Sequence, residues 1–194
     1  MPLSTTIFRV DVSETDGDRN YWASQAGLSS DAVTAIRSAD IVLVPWESRG
    51  AERSTFPVGT TDFFRSLSRL LGEGTVAIAA DPAEYVELAL HSNETRWPSI
   101  LVNTVFLSAL ATVLGDEVEK LISRSGPQAS IELTVTVENE RGKCVSVSYK
   151  GPPNRLVDTL VQETARCFPQ GPDAKPSGHS TALNSKRAER AVHK

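Results

Sequence analysis

Four consecutive apolar residues, Ile41–Val44, constrain the fold of this 194-residue chain more than any other feature. The run is stopped by Pro45 and offers no polar residue to solvent, which is typical of a strand covered on both faces of a sheet. A second strand of the same type is predicted over Thr75–Ala80, after an amphipathic helix that begins near Thr61 and ends before Gly72. Strands and helices therefore alternate, and this alternation predicts an α/β fold.

Further periodic segments extend the pattern on the N-terminal side. Charged and apolar residues alternate over Ile7–Val12, which predicts an edge or outer strand. Residues 13–29 are polar and are predicted to be mainly loop. A short helix capped by Ser30 is expected to end near Ser38.

Residues 81–92 allow two secondary structures. Asp81 in a capping position, Pro82 at the first helical position and Glu84 at the third predict a helix that runs to about Ser92. Over Tyr85–Leu90, alternate apolar residues indicate a strand instead. The capping residues favour the helix.

The segment from Pro98 to Arg124 is predicted to be one long helix, apolar nearly all round as far as Leu114. Such a helix must be buried, and it could be buried in the core, in an oligomer interface or in a membrane. Thr104, Ser108 and Thr112 form a stripe of small residues that permits close approach of another helix.

The last third of the folded region is predicted to be a hairpin and a helix. Residues 131–137 and 145–149 alternate between apolar and polar, with a turn over 138–142. A final helix is predicted from Leu156 to near Phe168, because its apolar residues fall on one helical face. We therefore expect an α/β (or α+β) domain over residues 1–168, with a mixed sheet of about five strands and the hairpin and helix as an addition or subdomain over about 130–168. Residues 169–194 are expected to form a disordered basic tail.

Composition excludes several function classes. Hydrophobic residues make up 40% and charged residues 23%, as in ordinary globular proteins. Residues 1–168 carry 15 Lys and Arg against 22 Asp and Glu, and this acidic balance argues against nucleic-acid binding by the domain. Two cysteines without metal spacing, and no signal-peptide pattern, predict a cytoplasmic protein.

The carboxyl ends of the predicted strands suggest a ligand site, because loops and helix N-termini converge there in α/β sheets. If the strands are parallel, this strand-end rim brings together residues 13–18, 46–53 and 81–84. Trp46, Arg49, Arg53 and Thr61 are then the candidate ligand-binding residues. The Thr61 helix N-terminus favours an anion such as a phosphate, and Glu47 or Asp81 would be the acid or base.

Other reactive clusters are less specific. Glu84, Glu87 and His91 would share one face of the predicted helix over 81–92, but no HExxH pattern or second histidine completes a metal site, so we predict none. Cys144 has no histidine near it in sequence and is expected to be unreactive. The sequence identifies no cofactor.

These observations favour a cytoplasmic binding or adaptor module that self-associates through the 98–124 helix, with itself or another protein as partner. Two alternatives stay open: a small enzyme or sensor that binds a nucleotide or phosphorylated metabolite at the strand-end rim, and a membrane-associated protein that uses the same helix.

Overall fold

The computed structural model describes residues 8–46, 54–89, 94–126 and 129–168. Within these ranges the strands are β1 (Arg9–Thr15), β2 (Ile41–Val44), β3 (Ser54–Pro57), β4 (Val76–Ile78), β5 (Tyr85–Leu88), β6 (Glu94–Arg96), β7 (Ser99–Asn103), β8 (Ser130–Glu138) and β9 (Cys144–Gly151). The helices are α1 (Arg19–Ala23), α2 (Ser30–Ser38), α3 (Thr60–Leu71), α4 (Leu107–Ser125) and α5 (Leu156–Cys167).

The fold is α/β, built on a mixed sheet of seven strands. Its order is β1-β9-β8-β7-β2-β4, with β6 beside β8. Strands β2 and β4 are parallel, β7 and β8 are parallel, and the β2–β7, β8–β9 and β1–β9 pairs are antiparallel. The predicted fold class is confirmed. The two strands beyond the expected five are β6 and β7.

The predicted double coverage of β2 is also confirmed, because all four of its residues are buried. Ile41 and Leu43 face a core that includes α3, α4 and α5. Val42 and Val44 face a second core formed with α1 and α2. Burying both faces of this strand removes the most apolar run of the chain from water, which is the main energetic reason for the three-layer arrangement.

The second helical layer covers only part of the sheet. Its core contains residues of β2, β4 and β7, together with Trp22 and Ile36 from α1 and α2. On the same face, β8 and β9 carry hydroxyl side chains that pair across the strands, Thr134 with Ser148 at 3.0 Å and Thr136 with Ser146 at 3.3 Å. The face of β8, β9 and β1 opposite α3–α5 is therefore polar.

The predicted helix over 98–124 is wrong in its first part. Residues Ser99–Asn103 form β7, whose Ile100, Leu101 and Val102 are fully buried between β2 and β8. The Asn103 side chain then accepts the Phe106 N–H at 3.0 Å, and a 3₁₀ turn leads into α4 at Leu107. The long apolar run is thus divided between a central strand and a helix, and α4 buries only one face.

The predicted helix over 81–92 is wrong, and the competing strand is present. Residues Tyr85–Leu88 form β5, which pairs in parallel with β3 in a separate two-stranded sheet. Strand β3 was not predicted. Asp81 does cap the backbone, but only around a turn, where its side chain accepts the Ala83 N–H at 3.0 Å.

The other predicted elements are present with small shifts. Strand β1 lies at the sheet edge as expected but extends to Thr15, and the predicted loop after it contains α1. Helix α2 spans Ser30–Ser38, with Ser29 rather than Ser30 as its cap. The β8–β9 hairpin and α5 match their predicted positions, and the hairpin belongs to the main sheet. The tail predicted over 169–194 lies outside the described residues. In the described ranges, we find no helix with the length and apolar character needed to cross a membrane.

Candidate functional site

Strand directions separate the segments expected to share the strand-end rim. Strand β1 is antiparallel to β9, and following the pairings across the sheet shows that it runs opposite to β2 and β4. The segment after β1 therefore lies at the other end of the sheet from those after β2 and β4. The rim is limited to the ends of β2 and β4, and Glu47, Arg49 and Arg53 lie outside the described residues.

Trp46 lies at this rim with a different arginine from those expected. The Arg96 guanidinium is 5.6 Å from the centre of the Trp46 ring, and Arg96 Nε is 3.0 Å from Glu132 Oε2. A shallow recess of about 140 Å³ lies beside these side chains and Trp97. Arg96 therefore lies between an aromatic ring and a carboxylate at this end of the sheet.

Asp81 is held by its own turn. Its side chain accepts the Ala83 N–H, and its backbone carbonyl accepts the Glu84 N–H at 3.0 Å. The hydrogen bond from Ala83, and another from Ser29, lower the pKa of the Asp81 carboxyl. A carboxylate that is stabilised in this way is a poor proton carrier near neutral pH.

The N-terminus of α3 does hold an anion, and the anion is the Glu87 carboxylate. Glu87 Oε2 accepts the Gly59 N–H at 2.9 Å, while Oε1 accepts the Thr61 N–H at 2.8 Å and the Thr61 hydroxyl at 2.7 Å. The Tyr85 hydroxyl donates to the same Oε1 at 2.5 Å. The free N–H groups and the positive dipole at the N-terminus of α3 are thus paired with a side chain of the same chain.

The titration of Glu87 reflects this binding. Partial burial acts to raise the pKa of Glu87, but the hydrogen bonds from Tyr85, Gly59 and Thr61 outweigh it and lower the pKa to about 2. Burial and the neighbouring Glu87 carboxylate raise the pKa of Tyr85 to about 12. The group is a structural lock between β5 and α3, and it occupies the position that a phosphate was expected to take.

The expected shared face of Glu84, Glu87 and His91 does not form, because Glu84 lies in a turn and Glu87 in β5, and His91 lies outside the described residues. No group of three or more potential metal ligands occurs in the parts of the chain that the structure describes.

The small-residue stripe is also divided. Thr104 lies in the 3₁₀ turn, whereas Ser108 and Thr112 are exposed on α4, where the Thr112 hydroxyl donates to the Ser108 carbonyl at 3.1 Å. Two of the three residues thus remain accessible on one helix face. Their role in an oligomer stays a prediction.

An open cleft of about 840 Å³ lies where β1 ends and β9 begins, with Cys144 and Cys167 among its lining residues. Burial first, and then the charge of Glu138, raise the pKa of the Cys144 thiol to about 11. The nearby Arg19–Glu138 ion pair is 3.4 Å long, and its side chains are only 16% and 15% exposed. The thiol therefore stays protonated at neutral pH, as expected for an unreactive cysteine.

The outer side of β1 has no neighbouring strand among the described residues. The hairpin turn shows which backbone groups point there. Asn139 donates its N–H to the Lys143 carbonyl at 3.0 Å, which makes these two residues a hydrogen-bonded pair. Bonded and non-bonded pairs alternate along an antiparallel ladder. The even-numbered residues of β9 therefore direct their backbone groups toward β1.

The register between β1 and β9 then shows which backbone groups of β1 bond to β9 and which point outward. Asp11 is opposite Ser148, so the odd-numbered residues of β1 bond to β9. The N–H and C=O groups of Val10, Val12 and Glu14 point away from the sheet. Phe8 and Val12 add exposed apolar side chains, at 50% and 42% exposure. We call this surface, from Phe8 to Glu14, the β1 edge.

The sequence contained part of this signal. Alternation over Ile7–Val12 predicted an edge or outer strand. Comparison of the chain with protein-family models, with curated proteins and with solved structures finds no match.

Proposed function

We propose that this chain is a cytoplasmic, non-catalytic binding module that joins a protein partner by accepting an extended strand along the β1 edge. The proposal keeps the adaptor function expected from the sequence and moves its contact surface from the 98–124 segment to β1. The observation that carries it is the row of backbone groups on Val10, Val12 and Glu14 that faces outward from a long edge strand.

The two edges of the main sheet differ in ways that support this function. Strand β4, at the far edge, has only three residues, and Val76 and Ala77 are buried. Short, covered edges of this type resist pairing with other chains. Strand β1 has seven residues, contains no proline and keeps an unbroken register with β9. It therefore offers a continuous template for another strand.

The side chains of the β1 edge provide more than hydrogen bonds. Phe8 packs edge-on against Tyr149 at 5.9 Å between ring centres, so its ring is held in place while half of its surface stays exposed. Val12 is exposed on the same face of the strand. An added strand with apolar residues at alternate positions would cover both side chains.

Both cysteines that the structure describes are free, which supports a reducing compartment such as the cytoplasm.

A labelled octapeptide tests strand addition directly. Its alternate residues are valine, and a lysine and a glutamate between them are placed to face Asp11 and Arg9. We expect saturable binding to the wild-type chain, measured by fluorescence anisotropy. Val12→Pro should abolish binding, because it removes an outward N–H and leaves the ladder with β9 intact. Val12→Thr keeps that N–H and the strand preference, and it serves as the matched control.

Loss of peptide binding in Val12→Pro, with retention in Val12→Thr and similar melting temperatures, supports the function. A peptide that fails to bind the wild-type chain, or that binds Val12→Pro equally well, contradicts it.

A further inference from the structure

The natural occupant of the β1 edge, we infer, is the β1 strand of a second copy of this chain, paired antiparallel so that Val10 lies opposite Val10. The inference rests on the proposed function and names its partner. A two-fold axis through this pair would run perpendicular to the sheet and join two seven-stranded sheets into one.

In this register each side chain from Phe8 to Val12 meets a complementary one. Positions that pair across the axis have residue numbers that sum to 20. Phe8 then lies opposite Val12 of the second copy, so the two exposed apolar side chains cover each other. Arg9 lies opposite Asp11 of the second copy, and the reciprocal pair forms on the other side of the axis.

The backbone pattern fits the same register. Phe8, Val10 and Val12 are the even-numbered positions, so each of their pairs with the second copy is of the hydrogen-bonded type. These three pairs provide about six backbone hydrogen bonds. The Arg9–Asp11 pairs fall on non-hydrogen-bonded positions, where the strands approach more closely and side chains make better contact.

Neighbouring registers are poorer. A pairing centred on Asp11 places that carboxylate opposite its own copy, which repels. A pairing centred on Val12 places Val10 opposite the Glu14 carboxylate and leaves Phe8 uncovered. Within one chain, Arg9 Nε already lies 2.6 Å from Asp11 Oδ2, with both side chains more than half exposed. The Arg9 and Asp11 charges therefore already lie side by side on one face of the strand in the single chain.

Charge reversal tests this register. Arg9→Asp gives a chain with two acidic residues at positions 9 and 11, and Asp11→Arg gives a chain with two basic ones. Each variant alone should associate at least about tenfold more weakly than wild type, because both cross-strand ion pairs become repulsive. An equimolar mixture should regain association within about threefold of wild type, since every pair is again complementary.

Association is measured by sedimentation equilibrium and by native mass spectrometry at low ionic strength, where exposed charges act most strongly. Thermal melts of each variant check that it remains folded. The double swap, Arg9→Asp with Asp11→Arg in one chain, preserves both the internal and the cross-copy pairs and should behave as wild type.

Cysteine cross-linking gives a readout that does not depend on charge. Arg9→Cys and Asp11→Cys chains, mixed under mild oxidation, should form a disulfide-linked heterodimer, because non-bonded pairs place their Cα atoms about 4.5 Å apart. Arg9→Cys mixed with Thr15→Cys should not cross-link, although the register centred on Val12 would join them.

A wild-type chain that stays monomeric at millimolar concentration overturns the inference, and the peptide experiment then still decides the proposed function. The inference is also overturned if both charge variants associate as strongly as wild type, or if position 9 cross-links to position 15. Rescue only in the mixed charge variants, together with the 9-to-11 cross-link, supports it.

Discussion

Replacing Glu87 by glutamine should destabilise the fold by releasing the N-terminus of α3. Four hydrogen bonds reach the Glu87 carboxylate, from Gly59, Tyr85 and the N–H and hydroxyl of Thr61. A glutamine oxygen can keep the three at Oε1. Its amide group would then meet the Gly59 N–H, so one hydrogen bond and the negative charge at the helix end are lost.

The magnitude follows from two estimates. The pKa of Glu87 falls from 4.5 to about 2. In a fully shielded site that fall corresponds to about 3 kcal/mol. The side chain is only half-buried, and solvent screening reduces the figure to about 1–2 kcal/mol. One lost hydrogen bond plus a lost helix–charge interaction gives about the same. For a domain of this size we expect the melting temperature to fall by about 2–8 °C.

The pH dependence gives the sharper test. Because folding lowers the pKa of Glu87, its stabilisation is complete above the unfolded pKa of 4.5 and is lost as pH falls toward about 2. The difference in unfolding free energy between wild type and Glu87→Gln should therefore be constant from pH 8 to about pH 5 and shrink below it. Urea unfolding measures both proteins at each pH.

Glu73→Gln is the matched control, because Glu73 is an exposed carboxylate in the turn after α3. We expect it to change stability by less than about 0.5 kcal/mol. Equal stability of Glu87→Gln and wild type at pH 7, or a difference between them that persists undiminished at pH 3, would refute the argument.

Three further predictions test the fold and the edge. Asn103→Ala should cost about 1–3 kcal/mol in urea unfolding, because the side chain both accepts the Phe106 N–H and donates to Asp40 at 3.0 Å; an unchanged midpoint would contradict this role. Iodoacetamide should alkylate Cys144 more slowly than Cys167 at pH 8, since the pKa of Cys144 is raised to about 11, and urea should abolish the difference. Ser108→Arg should leave both melting temperature and assembly mass unchanged, because Ser108 is exposed on α4; loss of assembly would favour the helix as the interface.

Local patterns predicted the elements whose partners are close in sequence. The β8–β9 hairpin needs only alternation and a turn around Gly142, and both are visible in the sequence. Helix α3 shows a clear apolar stripe. In these segments local preference and tertiary contacts favour the same structure, so the sequence is sufficient.

The wrong helix over 81–92 and the wrong first part of the helix over 98–124 arise where distant partners decide the structure. Asp81, Pro82 and Glu84 favour a helix locally, but β3 provides a parallel neighbour for Tyr85–Leu88, and strand alternation prevails. The centre of β7, Ile100–Val102, is apolar throughout, and such a run is equally compatible with a buried helix or a buried strand. Only the pairing of β7 with β2 and β8 distinguishes the two.

The candidate sites also divide into features visible in the local sequence and features that depend on distant residues. A helix N-terminus at Thr61 was evident, but the ligand that satisfies it, Glu87, lies 26 residues away and reaches it only because β5 is a strand. The β1 edge required both the strand order and the hairpin register. Strand order and register depend on contacts between distant segments, so a short stretch of sequence does not reveal them. The outward backbone groups of Val10 and Val12 therefore could not be assigned from the sequence.

The position of β1 explains why its apolar side chains remain exposed. The helical layer of α3, α4 and α5 buries Tyr149 on β9 almost completely, whereas Val12, on the next strand out, is 42% exposed. Val10 packs partly against this core, whereas Phe8 and Val12 on the same face of the strand remain exposed. In the dimer that we propose, β1 of a second copy would complete the burial of that face, and the same residues would serve both the fold and the interface.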